Sequence, residues 1–254
     1  KLNLKSIFSL ALGLFLYVPI SRWFFYLKNI SNIKKPGFKA IILDSLLADV
    51  FLTLWNKNKP DFSNLFLNSG AHIQHHYLFN SEAYKGDNKN PEWYCPKYYD
   101  PLIEILNQYD VIIGKILNIK NLNLIVATGL HQEPHEKVTF YWRIKKHSEF
   151  LNKIDLKKII EINPRMSRDF LINFSKTNHA SEAEKLLNSF FFSKDKIKIF
   201  NVDNRGKSLF VELVYPNDIN KNDSIYSKTS GFILDNFKSY LSFVAIKNGE
   251  HNGI

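Results

Sequence analysis

Residues 39–57 (KAIILDSLLADVFLTLWNK) space their apolar side chains three and four apart, which predicts a helix. Lys59, Pro60 and Asp61 end it before 62–67, an apolar run read as a short buried strand. The same order returns downstream. Pro101 opens a helix with Leu102, Ile105, Leu106, Val111, Ile112 and Ile116 at helical spacing, and it leads to the all-apolar run 122–127, a second buried strand. Helix and strand alternating in this way predict an α/β fold with a mostly parallel central sheet and helices on both faces. Residues 136–146 predict a further strand, 159–162 and 170–174 short strands around the Asn163, Pro164, Arg165 break, and 180–191 a helix. The turn residues 203–207 between 197–202 and 208–214 predict one small antiparallel hairpin beside that sheet. Residues 237–241 close a last helix before a strand at 243–247. That leaves 248–253 as a polar loop at the strand's carboxyl end, where open α/β sheets bind ligands.

With 254 residues, 45% of them hydrophobic, the chain has apolar material for one large core, and no internal repeat divides it. The expectation is a single α/β domain over 1–254. The absence of an initiator Met before Lys1 and the polar stretch running into Ile254 add the expectation that this domain is incomplete at both termini. The run 7–20 is strongly apolar, but it contains Pro19, meets Arg22 at once and is shorter than the ~20 residues a membrane span needs. A buried helix is expected there, with no transmembrane segment. A net charge of +10 suits anionic partners, yet the lysines are scattered and read as solvated surface, so no nucleic-acid partner is expected. The single cysteine, Cys95, excludes an internal disulfide and a multi-cysteine zinc site, and fits a reducing, cytoplasmic location.

Three histidine-bearing segments carry the candidate chemistry. In 68–77, His72 and His76 stand at i and i+4, so on a helix both rings share one face and can grip one metal ion, with His75 beside them. The alternative is structural, with one ring hydrogen-bonded inside and the others exposed. In 128–136, Thr128 and His131 are candidate catalytic groups and Gln132 a candidate substrate contact. In 247–253, His251 follows an apolar strand. Arg165 offers a guanidinium fork for phosphate or carboxylate oxygens, whereas Arg168 reads as paired with Asp169. Walker, dinucleotide-binding, nucleophile-elbow and zinc-protease motifs are all absent from the sequence, which removes the main support for those enzyme classes.

Pro60, Asp61 and Phe62 leading to Asn68, Gln74, His75, His76 and Tyr77, then Tyr109, Asp110 and Gly114, and finally Gly249, Glu250 and His251 resemble the type I phosphodiesterase and nucleotide pyrophosphatase branch of the alkaline phosphatase superfamily. The resemblance implies the parallel-sheet fold of that superfamily and a metal-dependent hydrolase acting on a small-molecule anionic phosphate or sulfate ester. It also implies a divalent metal, zinc by the family's habit, with His75 and His251 as ligands of one ion and His72 or His76 beside them. The family's nucleophile would lie upstream of Lys1. The family's aspartate four residues before its ligand histidine is Ala71 here if His75 is the match, or His72 if His76 is. Its Ser-Asp-His-Gly loop stands as 127–131 without the carboxylate. These departures imply the alternative of a divergent member that binds a ligand or partner without two-metal hydrolysis.

Overall fold

The computed structural model describes residues 3–128 and 131–252. The chain divides into two compact units, 1–136 with 248–254, and 137–247.

The first unit is built on helices. α1 (Leu4–Tyr17) and α2 (Ile20–Lys28) are separated at Pro19, whose missing N–H and fixed φ suit the residue just before a helix. α3 (Phe38–Asn58), α4 (Ser69–Tyr77) and α5 (Pro101–Leu117) follow. α5 starts where its sequence says it should: Pro101 occupies the first turn, and the Asp100 carboxylate accepts from the N–H groups of Leu102 and Ile103. Phe38 and Ile41 of α3, Ile73 of α4, and Leu102 and Ile105 of α5 form one core. Ala48, Ile112 and Ile116 form a second, flanked by Leu52, Leu65, Leu67, Leu122 and Leu124.

The second unit is built on antiparallel strands. β1 (His131–Ile144) enters it from the first unit, and β9 (Leu241–Asn252) returns. Between them lie α6 (His147–Lys153), β2 (Ile159–Pro164), β3 (Asp169–Phe174), α7 (Thr177–Asn188), β4 (Phe190–Phe192), β5 (Phe200–Asn204), β6 (Ser208–Leu213), β7 (Ile225–Ser227) and β8 (Ile233–Leu234). The sheet orders are β2-β3-β6-β5, β4-β7-β8 and β1-β9. β3 and β6 alternate half-buried and buried residues, and their register sets Phe170 opposite Val211 and Ile172 opposite Leu209, all four in the core. α7 packs on this sheet through the buried Ala180, Ala183 and Leu187.

The expected parallel central sheet is not what forms. All the sheets are antiparallel. Part of the reason is local: the turns at 165–168, 205–207 and 228–232 join β2 to β3, β5 to β6 and β7 to β8, and such short links can only reverse a chain, whereas parallel pairing needs a long crossover. β3 with β6 and β4 with β7 are antiparallel pairs of strands distant in sequence. The hairpin expected around 203–207 is thus one of three among the described residues, with β2–β3 and β7–β8. The runs 62–67 and 122–127, expected as buried parallel strands, join no ladder among the described residues. Their inward residues meet the second core of the first unit, while Phe62, Phe66, Ile125 and Val126 face outward and are exposed. Three boundaries also move. The helix expected to reach Phe191 stops at Asn188, because Phe190 and Phe192 bury as strand residues against β7. The helix expected at 237–241 is a single 3-10 turn, Phe237–Tyr240. The polar segment after 247, expected as a loop, continues β9 as far as Asn252. The apolar run 7–20, expected as a buried helix, is largely helical, but Phe8, Leu12, Phe15 and Leu16 are exposed. None of the described helices is long and apolar enough to cross a membrane.

Candidate functional site

The position of α4 is set by a buried carboxylate. Asp44, on α3, accepts from the backbone N–H of Ser69 at 2.9 Å and from the Tyr109 hydroxyl at 2.8 Å. The Tyr109 oxygen in turn accepts from the N–H of Gly70 at 2.8 Å, and Ser69 Oγ donates to the Ala40 carbonyl. Two of the N–H groups that a helix leaves unpaired at its start are thereby satisfied, with negative charge at the positive end of the helix dipole. Burial pushes the Tyr109 phenol above its ordinary pKa, so it stays a donor. Gly70 packs closely under Tyr109, whose ring would lie 3.1 Å from a Cβ there.

Held this way, α4 turns Ile73 inward and presents its histidines in sequence: His72 is exposed, His75 half-buried and His76 buried. The His72 and His76 rings share a face with centroids 4.7 Å apart. His75 Nδ1 lies 2.8 Å from the carbonyl oxygen of Gly249 on β9, 174 positions away. That oxygen can only accept, so Nδ1 carries a proton and donates it. At the start of β1, Gln132 Nε2 donates to the Ala71 carbonyl of α4 at 2.8 Å. Gln132 Oε1 is buried with no hydrogen-bond partner among the described residues. Gly249 completes the junction, because a Cβ there would come within 2.9 Å of the Glu133 carbonyl oxygen and 3.6 Å of Gln132 Oε1.

A pair of asparagines locks the other side. Asn90 and Asn248 exchange two 2.8 Å amide hydrogen bonds, Asn248 Oδ1 also accepts from the N–H of Phe79, and Asn90 reaches the His76 carbonyl and Asn80 Oδ1. Both asparagine side chains are buried. Four segments therefore meet at one place in the first unit: α4, the loop around Asn90, the first residues of β1 and the last residues of β9. Gly249→Ala should force β1 and β9 apart at this point and destabilise the protein by about 1–3 kcal/mol, since the obstacle is backbone and cannot rotate away. A urea midpoint compared with that of the natural protein measures it.

Among the histidines and polar groups expected to act, His72, His75, His76, Gln132 and His131 belong to these segments. His131 is half exposed and its Nε2 lies 3.3 Å from Glu133 Oε1. Thr128 is exposed just before β1. The side chain of His251 lies outside the described residues, although its backbone belongs to β9. Arg165 is a residue of the second unit, in the turn after β2, where its N–H bonds the Asp169 carbonyl. Arg168 pairs with Glu212 at 2.9 Å and stacks over Tyr141, rather than with Asp169, which accepts from Ser167. Cys95 is buried, and burial with Asp100 and Glu92 nearby pushes its thiol up to about 12, which makes it inert as a nucleophile.

Asp44 and the Asn90 and Asn248 pair were not singled out from sequence, and Tyr109 entered only through the resemblance, not as the residue that holds α4. A charged residue on the apolar stripe of 39–57 is a usable signal for Asp44. For the asparagines, whose partners are 158 positions apart, there is none in one sequence. Among the described residues, no group of three or more His, Cys, Asp or Glu side chains is placed to hold a metal ion. The described donors alone therefore do not make a metal cage, and no reaction step is assigned to one. Compared with protein-family models, with curated proteins and with solved structures, the chain matches none.

Proposed function

We propose that the chain is a hydrolase-like domain acting on a small anionic phosphate or sulfate ester, with its site where α4, the start of β1 and the end of β9 meet. The observation that carries this reading is the hydrogen bond from His75 to Gly249, which ties together two of the motif segments that resemble the phosphodiesterase branch. A backbone carbonyl that fixes the tautomer and orientation of a histidine is the arrangement found behind ligating and proton-transferring imidazoles. Gln132 Oε1, buried and without a hydrogen-bond partner among the described residues, adds an acceptor in the same junction, suited to a hydroxyl or a cation. His131 is the proposed proton-transfer group, and Thr128 is the second proposed catalytic residue. The proposal includes a divalent cation, zinc by resemblance, drawing on His72, His75, His76 and His251, and a cytoplasmic location.

A second reading is favoured by one observation, the absence among the described residues of a three-ligand group. On that reading the junction binds an anionic ligand or a partner without hydrolysis.

Elemental analysis and hydrolysis of chromogenic phosphodiesters and sulfate esters, on natural protein and on His75→Ala, separate the two. The first reading expects stoichiometric metal and a roughly 10- to 100-fold loss of metal affinity or turnover in the variant. Natural protein without metal and without hydrolysis sinks it.

A further inference from the structure

α2 is amphipathic but faces the opposite way from most surface helices. Its inward side is polar at the key positions: Arg22 Nε lies 2.8 Å and the Tyr26 hydroxyl 2.6 Å from Asp49 Oδ2 on α3, and the Arg22 guanidinium also sits over the Phe25 ring at 4.3 Å. Its outward side is apolar, with Ile20, Trp23, Phe24 and Leu27 at helical spacing and all exposed, Ile20 at 86% and Phe24 at 73%. A surface helix of a globular domain normally turns that stripe to the core. The patch does not stop with α2. Trp23 contacts Phe15 of α1 edge-on at 6.3 Å, and Leu4, Phe8, Leu12, Phe15 and Leu16 extend the exposed apolar surface.

Charge says what covers it. The stretch 1–43 contains seven Lys and Arg residues and no Asp or Glu, the first acid being Asp44. Lys5, Lys28, Lys34, Lys35 and Lys39 are exposed on the elements that carry the apolar stripe or follow it directly. Aromatic and aliphatic side chains bordered by cations, on helices too short or too polar to cross, match the interface of a bilayer with anionic headgroups. A second copy of this chain would bring the same cations together across the contact and is disfavoured by that repulsion.

We infer that α1 and α2 form a membrane-surface anchor that lays their apolar face into the interface of an anionic bilayer. Asp49 holds α2 against the domain from behind. The anchor is independent of the proposed ester chemistry and survives its failure.

The test is co-sedimentation of the whole chain with vesicles of phosphatidylcholine, alone or with about 30% phosphatidylglycerol. Binding to the anionic vesicles, weakening as salt is raised, is expected. The Phe24→Glu, Leu27→Glu double variant should lose roughly ten-fold or more of that binding. The Lys34→Glu, Lys35→Glu variant should lose the preference for anionic over neutral vesicles. Circular dichroism and the urea midpoint, unchanged in both because all four side chains are exposed, separate lost anchoring from lost folding. No binding by the natural protein, or binding indifferent to both pairs of substitutions, overturns the proposal. So does self-association in the absence of lipid that Phe24→Glu, Leu27→Glu abolishes.

Discussion

Asp49→Ala is expected to destabilise the first unit by about 3 kcal/mol, the low end of what breaking a buried ion pair costs. The carboxylate is 2% exposed and has three partners: Arg22 at 2.8 Å, Lys115 at 2.8 Å and the Tyr26 hydroxyl at 2.6 Å. Removing it leaves two cations facing each other across an emptied polar pocket. The figure is not higher because Arg22 and Lys115 keep 20% and 29% of their side-chain exposure and can swing partly into water. Asp49→Asn keeps the volume but not the charge and should lose most of the same stability, which separates electrostatics from packing. Burial alone would raise this carboxyl, but hydrogen bonds from Lys115, Tyr26 and Arg22 outweigh it and hold the group below its ordinary carboxylate range. A depressed acid stabilises the fold fully above its unfolded pKa and loses that contribution as pH falls through its folded one. Urea titrations should therefore show the gap between natural protein and Asp49→Ala constant near neutrality and closing below about pH 4. A gap that does not change with pH would show that the lost stability is not that of the charge.

Phe150→Ala is expected to cost about 3–5 kcal/mol, the range for emptying a full aromatic site. Phe150 is the anchor of the short helix α6 in the second unit and has no exposed surface. Its ring sits 5.8 Å from Phe200, 6.0 Å from Phe237 and 5.9 Å from Tyr240, so the β5 strand, the last 3-10 turn and α6 all lose packing at once. Phe150→Leu fills much of the volume and should cost about 1–1.5 kcal/mol, measured by the same denaturant series. Equal costs for the two substitutions would mean that the site relaxes around either side chain and that its packing is not specific.

In both units the elements legible in the sequence are those built from near neighbours. α3 and α5 were legible because everything that makes them is close in sequence: apolar residues at three and four, Asp100 and Pro101 at one start, and Lys59, with φ of 47°, ending the other. The β5 and β6 hairpin was legible for the same reason, Gly206 with φ of 85° closing a turn between two strand-like runs. The histidine segments were legible as composition, since imidazoles next to apolar runs stand out in any reading.

Pairing was not legible, because a strand's partner is a property of distant residues. The run 62–67 has the period of a strand, with Leu65 and Leu67 packed and Phe62 and Phe66 exposed, but its pattern cannot say whether a neighbour donates to it. Alternating helix and strand signals were read as parallel crossovers, yet β3 takes β6 as its partner and gives an antiparallel sheet. Likewise the apolar run at the start of the chain announced surface that excludes water. Only the tertiary structure decided that this surface would face outward, because Asp49 on α3 holds the polar side of α2, leaving its apolar side for something else. By itself, then, the sequence determined α3, α5, the hairpin turn at 203–207 and the residue types at the site, all set by interactions within a few residues. The tertiary structure decided the strand partners, the junction of α4 with β1 and β9, and the face that α2 shows, each set by contacts that neighbours in sequence do not share.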